Sequence, residues 1–308
     1  MLSKDKYSKD SNTWSNLNHV DLAEEEADVV VFGIPFDEGV SYRSGASEGP
    51  SVLRENTFTS TPYTENFQSI EDLLVVDSGD FRTDNRDELF EEIADYVRKL
   101  VEKGIFFTAI GGDHSVTIPI EKGIDRAVVE EFGIVHIDAH FDLCHSLGGD
   151  FLSHGSVQRR ALELKNISST DNIYFVGIRS IEPDEYQFMK KNKLQVYNAK
   201  SCHKLGMEKV AKDVVAAMEN YNKVYITIDI DSLDPAFAPG TGTPQFGGLY
   251  SRQLLDLLEI LFERLNVIGF DLVEVAPKLD ESLTSMFAAR KIITECWGYH
   301  AKKIGKID

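Results

Sequence analysis

The sequence predicts an α/β fold built on a mostly parallel sheet of about eight strands alternating with helices. Three observations carry that prediction. Short apolar runs recur along the chain, among them Asp28–Ile34, Ile105–Ile110, Phe132–Ile137 and Val224–Ile228, as strands buried on both faces require. Amphipathic stretches separate them, such as the one carrying Leu89, Ile93, Val97, Leu100 and Val101 at helical spacing. Several apolar runs end in His or Asp, and parallel α/β sheets gather their sites at the carboxyl ends of strands. Periodicity alone leaves a closed (β/α)8 barrel and an open doubly wound sheet both possible.

In order, residues 1–27 are polar, include Glu24-Glu25-Glu26, and are expected to wrap the surface as an N-terminal extension. Asp28–Ile34 is the first clear strand. Residues 35–50 form a glycine-punctuated loop that leads into a Pro-started helix over Ser51–Glu55. Leu73–Asp77 is a short strand, Arg86–Lys103 a helix, Ile105–Ile110 a strand and Val116–Glu130 a helix with Pro119 near its start. The strand ending at Asp138 follows, then a Gly-Gly loop over Cys144–Ser153 and a helix over Val157–Leu164. Ile173–Ile178 is a strand, Glu182–Lys191 a helix, Leu194–Tyr197 strand-like and Met207–Asn220 a helix before the Val224–Ile228 strand. Ala236–Gly248 is too rich in Pro and Gly for an element; Ser251–Leu265 is a helix, Val267–Val275 the last strand and Ser282–Lys302 the last helix. With no repeat, low-complexity tract or linker, residues 1–308 read as a single domain.

The formal charge of −19 argues against nucleic acid as a partner and is compatible with a small cationic substrate. Cys144, Cys202 and Cys296 are widely spaced with no CxxC, which reads as reduced and cytoplasmic. The polar, lysine-rich start has no apolar signal core, and no run reaches transmembrane length, so no membrane partner is expected.

The chemistry gathers at three strand ends. Val135-His136-Ile137-Asp138-Ala139-His140-Phe141-Asp142 begins apolar and ends in three metal-competent side chains at alternate positions. Continued extended backbone would set Asp138, His140 and Asp142 on one face. Buried unpaired carboxylates are costly, so two of them around a histidine imply a cation; a polar loop at a strand exit is the plain alternative. Upstream, an apolar run meets Gly111-Gly112-Asp113-His114-Ser115; downstream, another meets Asp229-Ile230-Asp231. His114, His140, Asp138, Asp142, Asp229 and Asp231 are too many for one tetrahedral site and include no thiolate, which favours a pair of Mn²⁺-like ions over Zn²⁺. Two ions about 3.5–4 Å apart can share carboxylates and a bridging water and make hydroxide at neutral pH. The reaction class is then hydrolysis of an electrophilic carbon or phosphorus. No Walker loop or dinucleotide fingerprint is present.

These stretches, together with Ser153-His154-Gly155, the run Asp229-Ile230-Asp231-Ser232-Leu233-Asp234-Pro235-Ala236-Phe237-Ala238-Pro239-Gly240-Thr241-Gly242, and Val273-Glu274-Val275-Ala276-Pro277, resemble the ureohydrolase (arginase/agmatinase) family. Arg43-x-Gly45-x-x-x-Gly49-Pro50 followed by Arg54 is similar to the family's early loop. The resemblance implies an open three-layer α/β/α fold, a binuclear manganese centre and attack of a metal-bridging hydroxide on a guanidinium carbon. Carried over by motif, His114 and Asp142 complete one ion, His140 and Asp231 the other, and Asp138 and Asp229 bridge. Asp142 counts also as catalytic, His154 is the proton shuttle to the leaving amine, and Glu274 holds the guanidinium, so His154 and Glu274 contact substrate. His145 competes with His154; Asp113 and Asp234 are read as structural, His136 receives no role, and Phe36, Tyr42 and Phe237 are expected to pack.

Cys144 stands where arginases carry an Asn that reads the substrate carboxylate, and a thiol is a poor hydrogen-bond partner for that group. The Ser-His-Gly and Val-Glu-Val-Ala-Pro strings look more like agmatinases. The resemblance therefore implies hydrolysis of agmatine to putrescine and urea, a step of polyamine biosynthesis, in a cytoplasmic homo-oligomer, trimer or hexamer. Arginine, 4-guanidinobutyrate and formiminoglutamate are the alternative substrates, with Arg43 the residue able to favour an acid. A catalytically silent metal-binding regulatory homologue is the alternative of another class.

Overall fold

The structure, a computed structural model, describes residues 1–307. The strands are β1 (Leu2–Ser3), β2 (Val29–Gly33), β3 (Val75–Phe81), β4 (Phe107–Ile110), β5 (Gly133–Ile137), β6 (Ile173–Ile178), β7 (Gln195–Asn198), β8 (Val224–Asp229) and β9 (Val267–Val273). The helices are α1 (Thr13–Asn16), α2 (Gly49–Glu55), α3 (Arg86–Glu102), α4 (Thr117–Ala127), α5 (Val157–Ala161), α6 (Pro183–Lys191), α7 (Ala199–Leu205), α8 (Met207–Met218), α9 (Ser251–Arg264) and α10 (Thr284–Lys303).

The sheet is open, with strand order β1-β3-β2-β4-β9-β8-β5-β6-β7. Only the short β1 runs antiparallel, against β3; the other pairs are parallel. Helices cover both faces, so the open three-layer alternative holds over the barrel. Alternation along each strand builds the two cores. Val29 and Val31 enter one core with residues of α8, α9 and α10, while Val30 and Phe32 enter the other with residues of α3, α4 and α5. Four neighbouring strands, β4, β9, β8 and β5, are the ones whose carboxyl ends carry the candidate site.

Three sequence expectations are corrected. The N-terminal segment does not merely wrap the surface. Its Trp14 is buried, packs with its ring 5.3 Å from that of Trp297 at a tilt of 56°, and donates Nε1–H to Asp77 Oδ2 at 2.7 Å. The strand expected over Leu73–Asp77 runs instead from Val75 to Phe81, with its buried carboxylates neutralised: Arg54, itself fully buried, pairs with Asp77 at 2.7 Å and Asp80 at 2.5 Å. Residues between Leu194–Tyr197 and Met207 hold an unforeseen helix, α7, capped by the Asn198 side chain on Ser201 N–H and separated from α8 by Gly206 at φ 83°. Among the described residues no helix is long and apolar enough to cross a membrane.

One buried histidine makes stability depend on pH. His300 in α10 stacks 3.9 Å from Phe106 and donates Nε2–H to the Asp28 carbonyl at 3.2 Å. Burial, with Lys303 nearby, pushes its pKa down to about 4. Unfolded, the ring titrates near about 6.5, so between these values unfolding takes up a proton. The stabilisation is whole above about pH 6.5 and is lost as pH falls towards 4, by roughly 2–3 kcal/mol. Urea unfolding at pH 7 and pH 4.5 should show this loss in the wild type, and His300→Leu should lack that increment.

Candidate active site

The site sits where β4, β9, β8 and β5 end side by side. His114 follows β4 in the turn after Gly111-Gly112, and its ring is held by Nε2 on Thr227 Oγ1 of β8 at 2.8 Å. That leaves Nδ1 facing carboxylates: Asp138 Oδ2 at 3.0 Å, Asp142 Oδ2 at 3.0 Å and Asp229 Oδ2 at 3.4 Å. A second group forms beside it, with His140 Nδ1 lying 3.3 Å from Asp231 Oδ2 and 3.4 Å from Asp138 Oδ1. Asp138 thus turns one oxygen to each histidine. The six expected ligands come together in two adjoining groups.

They do not converge by the expected alternation. β5 ends at Ile137, and the chain beyond it folds back on itself. Asp138 Oδ1 accepts His140 N–H at 2.7 Å, and Asp142 takes a left-handed φ of 53°. Glu274, after β9, is left-handed too, at φ 62°. Non-glycine residues in this region store strain and cluster at functional sites. At β8 the turn is tightened by Asp229 Oδ1, which accepts Asp231 N–H at 2.7 Å.

The donor set fits divalent cations. His114 Nδ1, Asp138 Oδ2 and Asp142 Oδ2 are buried and make no hydrogen bond, although such atoms are normally satisfied. Ligand atoms of Asp138, His140 and Asp231 lie within 4.8 Å of one another, as do those of His114, His136 and Asp138. Burial raises the pKa of Asp229, and Asp231 and Asp138 raise it further. Carboxylates forced together in this way call for positive charge. His136, given no role by sequence, stacks on the His114 ring at 5.1 Å and brings Nε2 to 3.2 Å from Asp138 Oδ2. It shares the alternation of Asp138 and His140, but the ring it meets across the sheet is decided by register.

His154 and Glu274 form one unit: His154 Nδ1 lies 3.1 Å from Glu274 Oε1, which also accepts His114 N–H at 3.0 Å. Burial works against a charge on His154, but Glu274, Asp142 and Asp113 outweigh it and push its pKa up to about 9. Ser41, missed by sequence reading, offers Nε2 its N–H at 3.1 Å and its Oγ at 2.8 Å. Asp113 fixes that loop by accepting Gly39 N–H at 2.7 Å. His145 is exposed, with its ring against Phe151.

A pocket of about 130 Å³ opens over these groups, lined by His114, His140, Asp142, His154, Asp229 and Ser41, and also by the buried Cys144 and Glu185 and by Glu182 and Gln245. Glu274 stands behind His154 rather than in this wall; a side chain at Gly242 would come within 3.5 Å of its Oε2, so glycine keeps that approach open. Arg43 does not enter the pocket. Its Nε and Nη2 donate to the carbonyls of Gly242 and Thr241 at 3.1 and 2.8 Å. Tyr42, expected to pack, is exposed beneath the Arg43 guanidinium.

Comparison with known proteins places the chain. The Arginase family model matches residues 27–298. The agmatinase of Bacillus anthracis is 38% identical over 275 residues, 88% of this chain and 91% of that one. The guanidinobutyrase of Pseudomonas aeruginosa is 32% identical over 92% of this chain and 90% of its own. The crystal structure of the agmatine ureohydrolase of Thermoplasma volcanium superposes with a TM-score of 0.84 at 29% identity, covering 96% of each chain. The match over most of its length shows that the chain belongs to the arginase family.

Proposed function

We propose that this ureohydrolase uses a pair of divalent ions, Mn²⁺ by the oxygen-rich donor set, to hydrolyse agmatine to putrescine and urea. The observation that carries the reading is the double cluster around His114 and His140, with unpartnered buried ligand atoms, at the floor of a pocket walled by His154. His114, Asp142, His140, Asp231, Asp138 and Asp229 would hold the ions. When bound, such ions supply the Lewis acidity that makes water nucleophilic near neutral pH.

The chain's own residues do the rest. His154, charged at neutral pH beside Glu274, holds on Nε2 the proton that the leaving amine needs. Ser41 serves that nitrogen in both states: its Oγ accepts from the charged ring, and its N–H meets the lone pair of the neutral one. Glu274 Oε1 orients the ring, and its Oε2, on the Gly242 side, is the acceptor proposed for guanidinium N–H groups.

The mouth favours a second cation over a carboxylate. The exposed Glu182 lines it, no Lys or Arg does, and Arg43, the one residue expected to read an acid, is spent on two carbonyls. An arginine carboxylate here loses water without a cationic partner, at a cost of about 1–3 kcal/mol, or roughly 10- to 100-fold in kcat/KM. The name of the B. anthracis relative supports the same substrate.

The test is urea release from agmatine, arginine and 4-guanidinobutyrate at equal concentration, alongside metal analysis of the active protein. Agmatine should lead, with about two Mn²⁺ per chain and no turnover after complete chelation. Preference for either acid refutes the substrate, and full activity without metal refutes the centre. Glu182→Gln, at the exposed rim, should raise KM for agmatine roughly 3- to 5-fold, the range of a screened surface charge, and leave kcat unchanged. An unchanged KM would remove Glu182 from recognition.

A further inference from the structure

We propose that Arg179 is a positioning residue of this reaction, a half-buried guanidinium that sets the Asp231 turn and the Gln245 wall of the pocket relative to the Asp138–His140 turn; the proposal rests on reading those turns as metal-bearing. Arg179 lies one residue beyond β6. Its N–H donates to the Ala139 carbonyl at 2.8 Å, between Asp138 and His140. Its side chain then reaches across the neighbouring strand ends. Nη2 donates to the carbonyls of Asp231 at 2.6 Å and Leu233 at 3.1 Å. Nη1 donates to those of Ser232 and Gly177, both at 3.2 Å. Nε and Nη2 share the Gln245 carbonyl at 3.2 and 2.9 Å.

These segments carry other ties as well, Ala139 N–H donating to Asp231 Oδ1 at 3.3 Å and Leu249 N–H to the Ser232 carbonyl at 3.0 Å, and Arg179 adds the contacts that join them to the Gln245 wall. Residues 230–232 are a single 3-10 turn, and Gln245 lies in the long stretch without regular structure between Leu233 and Tyr250. Short 3-10 turns have poor hydrogen-bond geometry of their own. Asp231 is therefore held from two sides, by Asp229 Oδ1 on its N–H and by Arg179 on its carbonyl. Gln245 and Thr243 are both in the pocket wall, and Thr243 Oγ1 lies 3.4 Å from Asp231 Oδ2, so one side chain coordinates a ligand and a specificity wall. Gly177, at φ 99° and with no room for a Cβ against the Asp138 carbonyl, lets the chain turn closely enough for this reach. Only a planar group with five N–H donors spans such a set; an ammonium offers three from a single point. Burial works against the guanidinium charge and lowers its pKa, while Asp231, Asp138, Asp234 and Asp229 act on it favourably.

Arg179→Gln and Arg179→Lys separate these contributions. Mn²⁺ affinity, measured on the purified full chain by competition with a fluorescent chelator, should fall about 10- to 100-fold in Arg179→Gln, the usual effect of removing a residue that orients a ligand. Arg179→Lys keeps the charge but not the planar fork. It should retain most of the affinity and still raise KM for agmatine, because Gln245 is released. An arginine that merely stabilises the fold would lower the melting temperature of the metal-free protein in both variants and leave Mn²⁺ affinity and KM as in wild type. That result overturns the proposal. Absence of Mn²⁺ binding in the wild type would instead overturn the metal reading beneath it.

Discussion

Asp138→Asn should abolish metal binding and urea release together, with kcat/KM falling at least about 10³-fold, the several kcal/mol that metal-ion catalysis supplies. The substitution keeps shape and one acceptor, so His140 N–H can still be satisfied at Oδ1. What it removes is the charge and the second oxygen. Oδ2 lies 3.0 Å from His114 Nδ1 and 3.2 Å from His136 Nε2 without a hydrogen bond. An amide NH₂ there presents protons to a point where cation ligands converge. Asp138 also turns an oxygen to each histidine group, so both ion positions suffer at once. Metal content by atomic spectroscopy and urea release are the measurements, with circular dichroism to show a folded variant. Full metal content with more than a tenth of the activity would rule out the shared role.

His154→Ala should lower kcat about 10²- to 10⁴-fold, the range of a general acid or base, while metal content and KM stay near wild type. The ring touches none of the six ligand side chains by hydrogen bond; it sits between Glu274 Oε1 and Ser41. Removing it leaves the leaving amine without a placed proton donor and leaves Glu274 with only the His114 N–H on that oxygen. His145 does not inherit the role, since it is exposed and turned onto Phe151. Added imidazole should restore part of the rate. Loss of metal along with activity would make His154 structural, and an unchanged kcat would hand proton delivery to solvent.

Legibility differed from element to element for physical reasons. Helices with regular apolar spacing were readable nearly to the residue: Arg86–Lys103 against an observed Arg86–Glu102, and Ser251–Leu265 against Ser251–Arg264. The strand Ile173–Ile178 matched at both ends. The misreadings fall where a distant partner changes what a residue costs. The strand expected to end at Asp77 runs on through Asp80, whose buried carboxylate is neutralised with that of Asp77 by Arg54. Trp14 sits in a polar segment whose burial depends on Trp297, far along the chain. His136 shares the alternation of Asp138 and His140, but its closeness to His114 comes from strands brought together across the sheet.

The sequence by itself determined the α/β class, the family, the metal-competent residue types and the pairing of each with a strand end. It could do so because strand burial and ligand chemistry are written in local composition and order. Tertiary structure alone decided how those ends meet. β4 lies beside β9, and β8 beside β5, although each pair is far apart in the chain, and this adjacency sets Asp138 between two histidines. The left-handed turn at Asp142 replaced the expected alternation, and the carbonyls of Thr241 and Gly242 took the Arg43 side chain away from the mouth. Each of these depends on where a backbone group lies in space, which no spacing along the chain encodes.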